Sequence, residues 1–158
     1  EAYFLHPDWA VHSDLDYFKR HFHLGKTYEH SNQAELAVAH YQKAVSVYRG
    51  DFLEDLFSES WTVYLRENML ERYYHMLAYV ADWHFGQQRY AEAAEYWQHI
   101  LQKDNAFEEA HRCLIQCYLA MGRIGKAVQQ YELCKTVLYD YLRRKPESAT
   151  RELVKEWI

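Results

Sequence analysis

The sequence predicts an all-α fold of repeated antiparallel helix pairs, and three observations carry that prediction. One small pattern recurs three times, as Ala37-x3-Tyr41-x2-Ala44, Ala93-x3-Trp97-x2-Ile100 and Ala127-x3-Tyr131-x2-Cys134. Each copy sets a small residue, an aromatic one turn later and a further packing residue on one helix stripe. Breakers are scarce, with two prolines and five glycines in 158 residues, while 49% of side chains are apolar. Apolar residues also recur at helical spacing, and no segment alternates with period two over a useful length.

Ahead of the first copy stands Leu24-Gly25-x2-Tyr28, and ahead of the third stand Leu114, Tyr118 and Gly122. The first of these is the leucine-glycine-tyrosine half of the tetratricopeptide signature, and the step from Ala93 to Ala127 is that repeat's 34 residues. The expected architecture is a tetratricopeptide-like right-handed stack of antiparallel helix pairs, about seven helices in all. The small residue lets paired helices approach closely, and the aromatic fills the space between neighbouring pairs.

The first helix is expected over residues 14–29, capped by Ser13 or Asp14, with Leu15, Phe18, Phe22 and Leu24 inward. The second starts near Ser31 or Asn32 and runs through Ala37, Tyr41, Ala44 and Tyr48 until Gly50 stops it. The period then breaks, because Ala37 to Ala93 is 56 residues, 22 more than one repeat. The surplus lies around residues 50–61, expected to form a short helix or turn that wedges Phe52, Leu53 and Phe57 under the bundle. A long third helix over 59–85 carries Trp61, Leu65, Leu70, Tyr73, Leu77, Val80 and Ala81 on one face, and Gly86 ends it. Helices follow over 90–103, 107–121 and 124–143, separated by Asp104-Asn105 and by Gly122-Arg123-Ile124-Gly125. A last helix over 148–157 is expected to cover the apolar end through Leu153, Val154 and Trp157.

Composition narrows the function. Trp, Tyr and Phe together make 27 residues, and each buries roughly 150–250 Å², so one domain of this length fills a sizeable core. The net charge is −5, with 23 acidic against 18 basic residues, and the one short basic cluster is Arg143-Arg144-Lys145. That triplet sits at a helix end before Pro146, where cations favour the helix dipole. Duplex DNA is therefore not an expected ligand of this segment. No apolar run approaches the roughly 18 residues of a membrane span, and Glu1-Ala2-Tyr3-Phe4 lacks the basic region of a secretory signal. A cytoplasmic location is expected, with its three cysteines as free thiols.

Cys113 and Cys117 lie one turn apart with His111 nearby, which invites a metal site. On a helix, however, His111 points away from the face the two thiols share, and Cys134 fills a small-residue slot of the next helix. Buried cysteine acts as a small hydrophobe. His21, His23, His30, His40, His75, His84 and His99 show no ligand spacing and read as surface or stacking positions. Glu108 and Glu109 are adjacent and face apart, and no phosphate loop or nucleophile elbow is present. No enzyme activity, cofactor or metal is expected.

Tyr48-Arg49-Gly50-Asp51-Phe52-Leu53, then Trp61 and Arg66, then Ala110-His111-Arg112-x-Leu114 with Tyr118 and Gly122, then Leu142-x3-Pro146-x3-Thr150-x2-Leu153, resembles the bacterial transcriptional activator domain. That domain occurs in regulators of the Streptomyces antibiotic regulatory protein type and in related large ATPase-linked regulators. The resemblance spans nearly the whole chain as a single domain, 1–158. Tyr3-Phe4-Leu5 followed by Asp14-Leu15-Asp16-x-Phe18 is similar to the junction after the family's winged-helix DNA-binding domain, so residues 1–12 are expected to be linker. Arg143 stands where the family usually has glycine, and Asn105 where proline often follows the aspartate.

The resemblance implies a regulatory, protein-interacting module. It would orient the DNA-binding domain, support self-association as a homodimer, or contact RNA polymerase and other parts of the transcription machinery. It carries over no catalytic residue and no cofactor, and it leaves Arg66 and Arg112 as structural or interface arginines. Two other classes remain beside it: a sensor of a small-molecule ligand, a nucleotide or metabolite, held in the aromatic interior, and a stand-alone peptide-binding scaffold. Setting the repeats in register places Lys19, Phe22 and Lys26, then His75 and Asp82, then Arg112 and Gln116 on the inner faces of the leading helices. Lys19, Lys26 and Arg112 would give that groove a basic rim suited to an acidic protein segment. The alternative is that these charges are solvated or paired internally.

Overall fold

The computed structural model describes residues 13–50 and 60–158. Among these residues it contains seven α-helices and no strand: α1 (Asp14–His30), α2 (Ala34–Val47), α3 (Ser60–Gly86), α4 (Tyr90–Lys103), α5 (Glu108–Ala120), α6 (Ile124–Leu142) and α7 (Ser148–Glu152). The expected wedge of Phe52, Leu53 and Phe57 and the expected linker over residues 1–12 lie outside the described residues. The chain divides into two compact units, the first ending at Arg72 and the second starting at Tyr73.

Local chemistry sets the helix ends. Ser13 caps α1, its Oγ accepting from the Asp16 N–H at 3.1 Å, and Asp14 and Asp16 place negative charge in the first turn. The turns inside the three helix pairs then share one geometry. Asn32, Gln88 and Gly122 each adopt positive φ, at 56°, 60° and 69°. At each turn the positive-φ residue and its successor donate back to the helix. The bonds run from Asn32 and Gln33 to Glu29 and Tyr28, from Gln88 and Arg89 to Phe85 and His84, and from Gly122 and Arg123 to Leu119 and Tyr118. These are Schellman caps, which satisfy the last carbonyls of the first helix and reverse the chain within three residues. Because Asn32 is used in that turn, α2 starts at Ala34 and not at Ser31 or Asn32.

Each positive-φ residue stands five positions before Ala37, Ala93 or Ala127, so backbone and side-chain repeats share one register. With helix ends aligned in this way, the 27 residues of α3 against the 17 of α1 put its extra length at its start. Part of the surplus between repeats is therefore helical.

In the first unit α1 packs on α2. Ala37, Tyr41 and Ala44 are fully buried, and a Cβ on Gly25 would collide with the Tyr41 ring. That close approach is why glycine stands here. The α1 stripe differs from the expected one: Phe18, His21 and Gly25 are buried, while Leu15, Phe22 and Leu24 are half-buried. Helix α2 stops at Val47, three residues before Gly50, where the Tyr48 N–H turns back to the Val45 carbonyl.

In the second unit the repeat residues Ala93, Trp97 and Ile100 of α4 and Ala127, Tyr131 and Cys134 of α6 are all buried. Met76, Leu77, Val80 and Ala81 of α3 and Ala110, Leu114, Ile115 and Cys117 of α5 complete this core, each larger side chain stabilising it by about 1.5–3 kcal/mol. Of the remaining α3 face, Tyr73 is buried and Leu65 and Leu70 are half-buried. Helix α7 is shorter than expected, because past Glu152 the chain continues in three-residue turns, Val154 N–H to Arg151 and Trp157 N–H to Val154. Val154 is fully buried, but Trp157 stays 43% exposed and does not cover the end.

Candidate partner-binding faces

Lys19, Phe22 and Lys26 follow one another along α1 at intervals of three and four, which sets them on one side of the helix. Lys19 and Phe22 are half-buried. The Arg72 guanidinium lies 5.0 Å from the Phe22 ring centre, a cation–π contact, and the Tyr41 ring lies 6.2 Å away. Lys26 Nζ is 3.0 Å from Glu29 Oε1, and the other oxygen of Glu29 accepts from the Tyr41 hydroxyl. The Lys26 charge is thus answered within its own helix.

In the second unit, His75 and Asp82 lie on α3, and Arg112 and Gln116 on α5. His75 has the Tyr79 ring beside it at 6.5 Å, and Gln116 is exposed. Arg112 Nη1 reaches Glu147 Oε2 at 3.4 Å. Asp82 keeps solvent access, yet the protein packed around it and the nearby charge of Glu109 raise its pKa. This face mixes signs, since Asp82 and Glu109 lie together and Arg112 is paired. Of the three cations expected to give a basic rim, Lys26 and Arg112 each have an acidic partner.

The histidines do more than decorate the surface. His21 and His40 stack with centroids 5.0 Å apart and share a hydrogen bond between their Nδ1 atoms at 2.8 Å. Burial, and after it the nearby positive charges, lower both pKa values. His111, expected to point sideways, is almost wholly buried. Its Nε2–H donates to the Asn105 carbonyl at 2.8 Å and its Nδ1 accepts from the Gln130 amide at 2.6 Å, so the ring is neutral, and burial lowers its pKa. Cys117 and Cys134 are buried and Cys113 is half-buried. Burial pushes all three thiols up to about 12, which opposes the thiolate that a metal would need. Among the described residues no three histidine, cysteine or acidic side chains converge.

The residue that sequence reasoning missed is Glu108. Glu108 and Glu109 do face apart, but Glu108 turns inward and is 6% exposed. Its Oε2 accepts from Arg144 at 2.7 Å. Its Oε1 accepts the Glu147 N–H at 2.6 Å and the Thr150 hydroxyl at 2.8 Å. One carboxylate therefore fastens the start of α7 to α5 and neutralises one arginine of the basic triplet. The signal was available in the register, which sets Glu108 level with Phe18 and Tyr74, an otherwise aromatic slot.

Repeated helix pairs with one turn geometry, small residues at the crossings and aromatics between them define a helical-repeat domain of the tetratricopeptide kind. The family model described as the bacterial transcriptional activator domain matches residues 13–156. The chain belongs to that family, and membership gives it a regulatory role in transcription. Among solved structures it is similar to Mycobacterium tuberculosis EmbR in complex with a low affinity phosphopeptide, at 22% identity and a TM-score of 0.73. The match covers 90% of this chain and 38% of that one, so it shows a shared fold over less than half of EmbR. A looser likeness, to MamA protein, has 14% identity and a TM-score of 0.39 over 89% of this chain and 86% of that one. No curated protein matches. Among the described residues no helix is long and apolar enough to cross a membrane.

Proposed function

We propose that the domain is the non-enzymatic, protein-interacting module of a bacterial transcription regulator, acting in the cytoplasm as part of a longer chain. The observation that carries this reading is the division of labour in the helices. Their repeat residues are spent on the core, while the leading helices α1 and α5 keep polar and charged side chains on an accessible side. Lys19, Phe22 and Lys26 would serve on α1; His75 and Asp82 on α3, with Arg112 and Gln116 on α5, would serve in the second unit. The partner is another protein segment: a second copy of the chain, another domain of the regulator, or RNA polymerase. That EmbR is seen with a phosphopeptide supports a peptide-type partner by analogy.

Sequence-specific DNA contact is assigned to another domain, because a chain of net charge −5 whose one short basic cluster is Arg143-Arg144-Lys145 offers no phosphate-binding stripe. The test is binding of the 158-residue chain to itself, to the regulator's DNA-binding domain and to RNA polymerase, measured by biolayer interferometry. A Lys19→Glu, Lys26→Glu variant and an Arg112→Glu, Gln116→Glu variant are compared with the parent. At least one partner should bind the parent, and at least one variant with unchanged melting temperature should lose about tenfold in affinity. Binding to none of the three, or equal binding by both variants, contradicts the reading.

A further inference from the structure

In the second unit, the end of α6 and the segment that follows it border a half-open hollow of about 430 Å³. Its walls are mainly apolar, built in part from the rings of Tyr131, Tyr139 and Pro146. Around them stand four cations, Lys135, Arg144, Lys145 and Arg151, against one acid, Asp140. Two of the cations already have partners: Lys135 pairs with Glu132 at 2.8 Å and Arg144 with Glu108 at 2.7 Å. Lys145 and Arg151 make no ion pair among the described residues. A chain with a net charge of −5 thus gathers unspent positive charge beside an aromatic-walled hollow.

We propose that this hollow binds a small organic anion, a carboxylate or a phosphate carried on an aromatic body. The volume lies in the range of small-molecule sites, which are concave, mostly apolar and oriented by a few polar groups. The Tyr139 ring, exposed and with the Arg143 guanidinium 5.5 Å from its centre, offers a face for an aromatic body, and the buried Tyr131 lies in the wall behind it. Lys145 and Arg151 supply the charge that holds its anionic group, and Arg's planar fork suits either head group. The hollow is half-open, bounded by α6 on one side and by residues 144–151 on the other, and its size suits a small molecule better than a protein segment. The site lies where Glu108 holds residues 144–150, so an occupant would tie that segment to α6 a second time. A regulator could use such a tie to couple a metabolite to the docking of α7.

The experiment is calorimetric titration of the 158-residue chain with 1-naphthyl phosphate and with naphthalene-1-carboxylate. At least one should bind saturably at one site and weaken with added salt; which of the two binds more tightly identifies the head group. Neutral 1-naphthol and inorganic phosphate should each bind about tenfold more weakly. The Lys145→Glu, Arg151→Glu variant should lose about tenfold in affinity. Thr136→Trp fills the hollow without touching a charge and should also abolish binding, which keeps the test open if the charge variant folds poorly. Saturable binding by neither anion, equal binding by 1-naphthol or by inorganic phosphate, or equal binding by a folded variant overturns the proposal.

Discussion

At the scale of single residues, Glu108 and the buried histidines show how polar groups specify this interior. A buried carboxylate is tolerated only when its oxygens are filled, and Glu108 fills them with Arg144, Glu147 and Thr150. Glu108→Ala leaves the Glu147 N–H and the Thr150 hydroxyl without that acceptor, so it should destabilise by roughly 2–4 kcal/mol, discounted because Arg144 is partly solvated. Urea unfolding measures this, and a loss under 1 kcal/mol would refute the clamp. These partners stand 36, 39 and 42 residues along the chain. No local spacing rule could pair them, and adjacency to Glu109 shows only that the two carboxylates face apart.

The histidines give the pH dependence. Burial lowers the pKa values of His21, His40, His84 and His111 in the folded chain, whereas the unfolded chain takes up protons near pH 6.5. Below that pH the unfolded state binds more protons, so stability falls on acidification and is fully present above it. His84 is the sharpest case. It stacks on Tyr96 at 5.5 Å, and neither ring nitrogen has a hydrogen-bond partner among the described residues. Arg89 lowers its pKa further, while Glu92 and Glu95 act against that. His84→Phe keeps a ring in a slot that the other repeats fill with Tyr28 and Tyr118. The difference in urea midpoint between pH 7.5 and pH 5.5 should shrink in this variant with no loss of stability at pH 7.5; an unchanged difference would show that His84 is not a source of it.

At the scale of elements, the turns explain what could be read and what could not. The three small residues and three aromatics were legible because only close packing uses that order of sizes at helical spacing. Gly122 was legible as a break. Asn32 and Gln88 were not, since both do glycine's work with a side chain attached, and the Schellman bonds hold them there. Arg143 is a third residue of this kind, with φ of 52° where α6 ends, its N–H bonded to the Tyr139 carbonyl at 3.1 Å. The family's usual glycine is the unstrained choice in that conformation. The Arg143 guanidinium also lies 5.5 Å from the Tyr139 ring centre; Arg143→Gly should raise stability by about 0.5 kcal/mol, less than the full relief because that ring contact is lost. A drop of 1 kcal/mol in urea unfolding would mean that the contact outweighs the strain.

At the scale of the whole molecule, family membership gives the chain a regulatory role in transcription, while the proposed docking residues rest on their positions along the helices. Sequence could place Lys19, Lys26, Asp82 and Arg112 on leading helices because helix register is periodic. It could not show that Glu29 and Glu147 engage two of those cations, since ion pairing depends on side-chain reach between turns and elements. The most direct test is run-off transcription by the full-length regulator carrying either the Lys19→Glu, Lys26→Glu or the Arg112→Glu, Gln116→Glu substitutions, with promoter binding measured in parallel by mobility shift. The expected result is promoter binding within about twofold of the parent and transcription reduced about tenfold by at least one pair. Parental transcription from both folded variants would contradict a regulatory module that works through these faces.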